Sequence, residues 1–179
     1  MQPQLPIEVD ESTGIWRTNG LAMIYVPRHF FVNNHVEAEA AIGREAYAQS
    51  LYKAGYRSAY YWCDQESKTH NLQGLAVYEH YLKRLSQRGW GLFSFEEEDP
   101  TFGHARIRLE HSVFVLAQGI AGVPVRQDKV CYLFAGWFSG AMDWVGHNTG
   151  KTWKTHSEET RCAAEGHDHC VFAVTPLSA

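Results

Sequence analysis

The feature that most constrains this chain is the C-terminal run Glu158-Glu159-Thr160-Arg161-Cys162-Ala163-Ala164-Glu165-Gly166-His167-Asp168-His169-Cys170-Val171-Phe172. Two cysteines flank a seven-residue insert carrying Gly166, two histidines and an aspartate, with two carboxylates just upstream. Cysteine, histidine and carboxylate are the side chains that hold zinc or iron, and a short loop gathers them at small entropic cost. If strands enter and leave through Cys162 and Cys170, their sulfurs face each other at the base of a hairpin. The same spacing serves two small buried hydrophobes beneath a solvated turn, because it is not a standard zinc-ribbon spacing. Strand parity adds a condition. Glu159 and Cys162 differ by three and point to opposite faces unless a bulge or an early turn intervenes, whereas Glu158 shares the parity of Cys162. The candidate metal ligands are Glu159, Cys162 and Cys170, with His156, His167, His169 or Cys131 as the fourth. A fourth side chain closes the shell into a structural site; water in its place leaves an open, catalytic layout.

Upstream, residues 1–13 read as a polar N-terminal arm and 14–179 as one domain. Ile15 to Val26 reads as a hairpin turning at Asn19-Gly20, with Pro27 ending its second strand. A helix is expected from Asn34, capped by its own side chain with Glu37 in reply, to Lys53, stopping at Gly55. Its buried stripe is Val36, Ala40, Tyr47 and Leu51, and residues 56–63 fit strand or helix equally. A second helix is expected from Thr69 to Arg88, with Leu75, Tyr78, Leu82 and Leu85 on one face and Gly89 as its stop. Trp90 to Glu97 reads as a strand running into the acidic turn Glu96-Glu97-Glu98-Asp99. Ala105 to Val113 alternates as the clearest strand, with His111 on its inward face. The stretch Asp128 to Val145 is apolar on nearly every side, as a helix in a core or subunit interface would be, and Gly136 and Gly140 allow another backbone close. Together these elements predict an α+β fold: an antiparallel sheet with helices packed on one face, an N-terminal hairpin, and a C-terminal hairpin carrying the Cys/His/Glu loop.

A net charge of −4 leaves no basic footprint for nucleic acid. No apolar run reaches membrane-spanning length, and four cysteines without a secretion signal place the chain in a reducing cytoplasm. Six Trp, nine Tyr and nine Phe are a surplus that points to a pocket or an interface. Trp90, Phe134, Trp137 and Trp144 are the candidate pocket walls, with His111 and His80 as polar anchors for an aromatic or apolar small molecule. The apolar stretch also predicts a homodimer.

Glu159-x-x-Cys162 followed by Ala-Glu-Gly-His-Asp-His-Cys170-x-Phe172 resembles the terminal signature of the 4-vinyl reductase domain family. Val130 to Gly140 resembles that domain's preceding helix, and Arg106 to Phe114 the strand before it. The resemblance, spanning residues 36–175, implies a mixed α/β domain that commonly dimerises. It is similar to the ligand-sensing domain of phenol-responsive activators, where the counterparts of Glu159, Cys162 and Cys170 bind zinc with a fourth cysteine from the preceding helix. That fourth position falls here on Ser139, a poor zinc ligand. Ile24 to Phe31 resembles a group of bacterial proteins encoded beside enzymes of quaternary-amine catabolism, and tethering subunits of the TRAPP complex resemble the fold distantly. The expectation is a small-molecule sensor or carrier with a structural zinc. The alternative is a metal-dependent enzyme of aromatic or quaternary-amine catabolism with an open zinc or iron site at Glu159, Cys162 and Cys170. Against it, the chain carries no H-E-x-x-H, no nucleophile elbow and no Gly-rich cofactor loop.

Overall fold

A computed structural model describes residues 5–18 and 20–177. Its elements run β1 (Glu8–Asp10), β2 (Ile15–Thr18), β3 (Leu21–Met23), α1 (Arg28–Ile42), α2 (Arg44–His70), α3 (Leu75–Gln87), β4 (Leu92–Asp99), β5 (His104–Glu110), α4 (Val113–Ala117), α5 (Ala135–Asn148), β6 (Thr155–Arg161) and β7 (Cys170–Pro176). Two antiparallel sheets form: a small one ordered β1-β2-β3, and a larger one ordered β4-β5-β7-β6. The fold is α+β. Ala105, Ile107 and Leu109 bury one face of β5 while Arg106 and Arg108 stay half exposed on the other, so helices cover a single face of the main sheet.

The N-terminal half departs from the sequence expectation in instructive ways. Strand β1 lies within the segment read as an arm and pairs with β2. Strand β3 stops at Met23, and Pro27 instead sits at the N-cap position of α1, where its missing N–H costs nothing. Asn34 falls inside that helix, its side-chain amide donating to the Phe30 carbonyl. The single helix expected over 34–53 is two helices, because Gly43 (φ 84°) takes a backbone conformation that L side chains rarely adopt. Gly55 does not end a helix. It sits buried in the middle of α2, which continues to His70 and stops at left-handed Asn71.

The reason for Gly55 is α5. A Cβ there would lie 2.2 Å from Trp137 Cδ1, one on Gly136 2.1 Å from the Tyr52 carbonyl oxygen, and one on Gly140 2.3 Å from that of Tyr56. The two helices touch backbone to backbone. They also run parallel, as a ladder of polar contacts records. Tyr52 donates its hydroxyl proton to Ser139 Oγ (2.6 Å), Tyr56 donates to Asp143 Oδ2 (2.6 Å), and Tyr60 meets His147 Nδ1 (2.8 Å), each rung one helical turn beyond the last. Asp143 is fully buried and also accepts from the Thr155 N–H and hydroxyl, both at 2.8 Å, which ties α5 to β6. Ser157 N–H donates to the Tyr52 hydroxyl (3.2 Å), adding the strand to the first rung.

Gly140→Ala should therefore lower stability by about 1–3 kcal/mol or more, since backbone rather than a pliable side chain stands in the way. An unchanged urea midpoint for this variant would refute the close helix contact.

Candidate metal centre

The C-terminal hairpin is built for convergence. The pairing of β6 with β7 slips between Glu159 and Arg161, so that Glu159 and Cys162 reach the same interior. Glu159 is buried and Glu158 exposed. Beyond Cys162 the chain makes a 3₁₀ turn (Ala163–Glu165), with the Glu165 carboxylate accepting the Cys162 N–H at 2.9 Å and Gly166 (φ 93°) closing it. The Ala163 N–H donates to Cys170 Sγ at 3.2 Å.

Into this pocket comes Cys131, from the segment that leads through a second 3₁₀ turn (Tyr132–Phe134) into α5. The four ligand atoms of Cys131, Glu159, Cys162 and Cys170 lie within 4.8 Å of one another, and all four residues are buried. The sulfurs stand 3.9 Å (Cys131–Cys162), 3.7 Å (Cys131–Cys170) and 3.7 Å (Cys162–Cys170) apart. None is in a disulfide. A tetrahedral ion with metal–sulfur bonds of about 2.3 Å would separate its thiolates by about 3.8 Å. Packed thiols alone could stand at that distance, so the carboxylate decides the matter. Glu159 Oε2 accepts the Cys131 N–H at 2.9 Å, whereas its buried Oε1 receives no N–H or O–H. Burial, then the neighbouring Cys162, pushes this carboxyl up to about 10. Burial likewise drives the Cys131 thiol well above its ordinary range, while S–H bonds from Cys131 and Cys162 draw Cys170 down. Such a set cannot ionise together without a counter-charge, and a divalent cation supplies one. Three thiols and a carboxylate form a donor set that fits a metal ion.

The other candidate ligands stand apart. His156 is exposed and stacks on Tyr52 (5.2 Å), His167 is exposed, and His169 Nε2 meets Glu96 Oε1 at 3.0 Å. Ser139 is not near the cluster's donor set; its hydroxyl belongs to Tyr52. What the sequence did not reveal is how the fold replaces a helix cysteine. Cys131 enters from the loop eight residues earlier, held by Ser112 Oγ at 3.0 Å.

The proposed pocket residues are arranged differently from the expectation. Trp90, Phe134 and Trp137 pack on one another edge-on, with centroids 5.2–5.9 Å apart, and Trp144 is buried. They form core. His111 is not inward-facing: β5 ends at Glu110, and His111 turns out to solvent with φ 54°. His80 sits partly buried against Glu66. The buried histidine is His35, unremarked in the sequence, ringed by Tyr47 (5.0 Å), Phe114 (4.8 Å) and Tyr132 (5.2 Å) beside an enclosed cavity of about 20 Å³. A wider groove of about 560 Å³ runs between α2 and β6. Ala48, Tyr52, Tyr132 and Ala135 wall it, Lys53 and Lys129 border it, and Glu159 lies at its side.

This α+β domain with a buried cysteine–glutamate centre is a 4-vinyl reductase domain, the family model matching residues 119–176. Residues 1–96 of the 179 match the model described as Domain of unknown function (DUF5943), and the chain belongs to that family. No curated protein matches the chain. Among solved structures, the fold is similar to the phenol-responsive sensory domain of the transcription activator PoxR with phenol: TM-score 0.74, 17% identity, 95% of this chain and 84% of that one covered. It is also similar to a vinyl-4-reductase family protein from Methanocaldococcus jannaschii (0.57, 14%, 87% and 85%). A third similar structure is a trafficking protein particle complex subunit 3 from Naegleria fowleri covalently bound to palmitic acid (0.57, 11%, 84% and 95%).

Two outcomes are expected of the purified protein. Cys131→Ser should weaken metal retention roughly tenfold or more, while Ser139→Ala leaves it unchanged and costs about 1 kcal/mol through the lost Tyr52 bond; elemental analysis and denaturation separate the two. His35 gives a pH signature. Burial lowers its pKa from 6.5 to about 4, opposed by Glu39 and aided by Arg126 and Arg44. The unfolded chain then binds the extra proton first, so stability is full above pH 6.5 and falls towards pH 4, by up to about 3 kcal/mol. His35→Gln should flatten that slope, and an equally steep slope in the variant would refute the assignment.

Proposed function

We propose that the chain is a small-molecule-binding domain, a sensor or carrier, stapled by a structural zinc held by Cys131, Glu159, Cys162 and Cys170. The observation that carries the zinc is the half-satisfied Glu159 carboxylate among three buried thiols. Zinc accepts a mixed thiolate–carboxylate shell without redox chemistry, and a reducing cytoplasm keeps these thiols available. The catalytic alternative needs an open position. With Cys131 as the fourth donor the protein's own side chains fill a tetrahedron, which favours a staple over a reaction centre.

The ligand seat in this reading is the groove beside Glu159, of a size usual for small-molecule sites. Its alanine and tyrosine walls suit an aromatic or apolar body, with Lys53 and Lys129 available to a polar end. The relatives solved with phenol and with palmitic acid support that class of ligand. The domain, taken as residues 14–179, is proposed to act as a homodimer through its N-terminal hairpin. There Trp16, Leu21, Ile24, Tyr25 and Phe30 are all exposed, Ile24 at 81% and Tyr25 at 60%.

The paired substitution Cys162→Ser and Cys170→Ser should abolish zinc content and lower the melting temperature by several degrees. A double variant that keeps both would overturn the zinc staple. Sedimentation as a clean monomer of about 20 kDa at high micromolar concentration would overturn the dimer.

A further inference from the structure

A second group of metal-binding side chains lies far along the sequence from the cysteines, at the corner between α2 and α3. Glu66 and His70 stand four apart on the last turn of α2, and so share a face. Asn71 (φ 51°) ends that helix, Leu72 N–H donates back to the Ser67 carbonyl (3.0 Å), and Gly74 (φ 55°) opens α3. This tight corner folds α3 against α2 and turns His80 back onto Glu66. Both imidazoles present Nε2 to the same carboxylate oxygen: His80 at 2.8 Å and His70 at 3.2 Å from Glu66 Oε2. The three ligand atoms lie within 4.8 Å of one another.

The surroundings fix two of the three. Glu66 is buried, and the Trp62 ring, one turn earlier on α2, stacks on His80 at 5.8 Å with planes 19° apart. His70 is the open side, its side chain 38% exposed. Arg88 sits over the Trp62 ring at 5.6 Å and also feels the charge of Glu66, so a metal must share that carboxylate with it. No guanidinium hydrogen bond to Glu66 is present among the described residues; the imidazoles hold its Oε2.

We propose that Glu66, His70 and His80 form a second, solvent-accessible site for a divalent transition ion. Two imidazoles and a carboxylate suit the borderline ions zinc, nickel, cobalt and copper rather than calcium or magnesium. The protein supplies three donors here, and solvent reaches the site past His70. The ion exchanges with solution and bridges the α2–α3 corner, unlike one sealed among the buried cysteines.

The test is titration of the tag-free protein, its cysteine cluster already loaded with zinc, with Co(II). Calorimetry gives the stoichiometry, absorption shows whether sulfur is a ligand, and NMR follows the histidine rings. One added equivalent of Co(II) is expected, with no thiolate-to-cobalt charge-transfer band and with His70 and His80 signals selectively broadened. Glu66→Gln and the half-exposed His70→Asn should each weaken this uptake at least about tenfold, as loss of one ligand in three requires. Neither should change the zinc held by the cysteines. Unchanged Co(II) affinity in His70→Asn overturns the proposal, as does uptake only with a thiolate band, or no uptake at all. Failure of the cysteine site would appear separately, as missing zinc at the outset.

Discussion

The structure depends on the backbone contact between α2 and α5. Helices normally meet through side chains at 8–10 Å between axes; glycine at the contact lets them come closer. Here Gly136 and Gly140 lie against the main chain of Tyr52 and Tyr56, and Gly55 lies against Trp137. That closeness brings tyrosine hydroxyls within reach of Ser139, Asp143 and His147, so apolar packing and polar pairing fix the same register. Phe134, at the head of α5, and Phe138 within it reach Phe172 on β7, at 6.3 and 4.9 Å between centroids. With both the helix and the strand held, the segment entering α5 has one route. It carries Cys131 over the open end of the C-terminal hairpin.

Two buried carboxylates illustrate how satisfaction separates framework from site. Asp143 accepts from Tyr56 and twice from Thr155, with Lys154 at 3.6 Å, and needs nothing further. Glu159, equally removed from water, receives one N–H and leaves an oxygen facing thiols. Leaving a buried acceptor unpaired costs about 1–3 kcal/mol, more when charged. The first carboxylate is explained by the fold alone. The second is explained by a cation.

The C-terminal half was largely legible in the sequence because its signals are local. The alternation of Ala105, Ile107 and Leu109 gave a strand, the all-round apolarity of 135–146 a buried helix, and the Cys162–Cys170 spacing a hairpin. The need for a bulge near Glu159 could also be read from parity alone, and the register slips there. What could not be read was long-range. Ser139 looked like a failed ligand because its true partner, Tyr52, lies 87 residues away. Gly55 looked like a helix stop because nothing local announces that Trp137 must pass over it. His111 continued the alternation by one residue, but the chain turns at that point to let the Val113 N–H bond the Trp90 carbonyl (3.0 Å) and start α4.

The surplus of aromatic residues is also a consequence of the close helix pair. Drawing α5 onto α2 leaves a wide space between the helices and the four-stranded sheet, which Trp90, Phe93, Phe134, Phe138 and Phe172 fill in edge-to-face contacts of 4.9–6.3 Å. Large rings close that volume, so concavity is left at the seams instead. The seam between α2 and β6 is bounded by Tyr52, the first rung of the ladder, and by Glu159, the carboxylate of the cysteine cluster. A molecule seated there would touch both at once. Its binding would bear on the register of the helix pair through Tyr52 and on the charge of the cluster through Glu159. In a domain this tightly packed, that seam is where occupancy can alter both without opening the core.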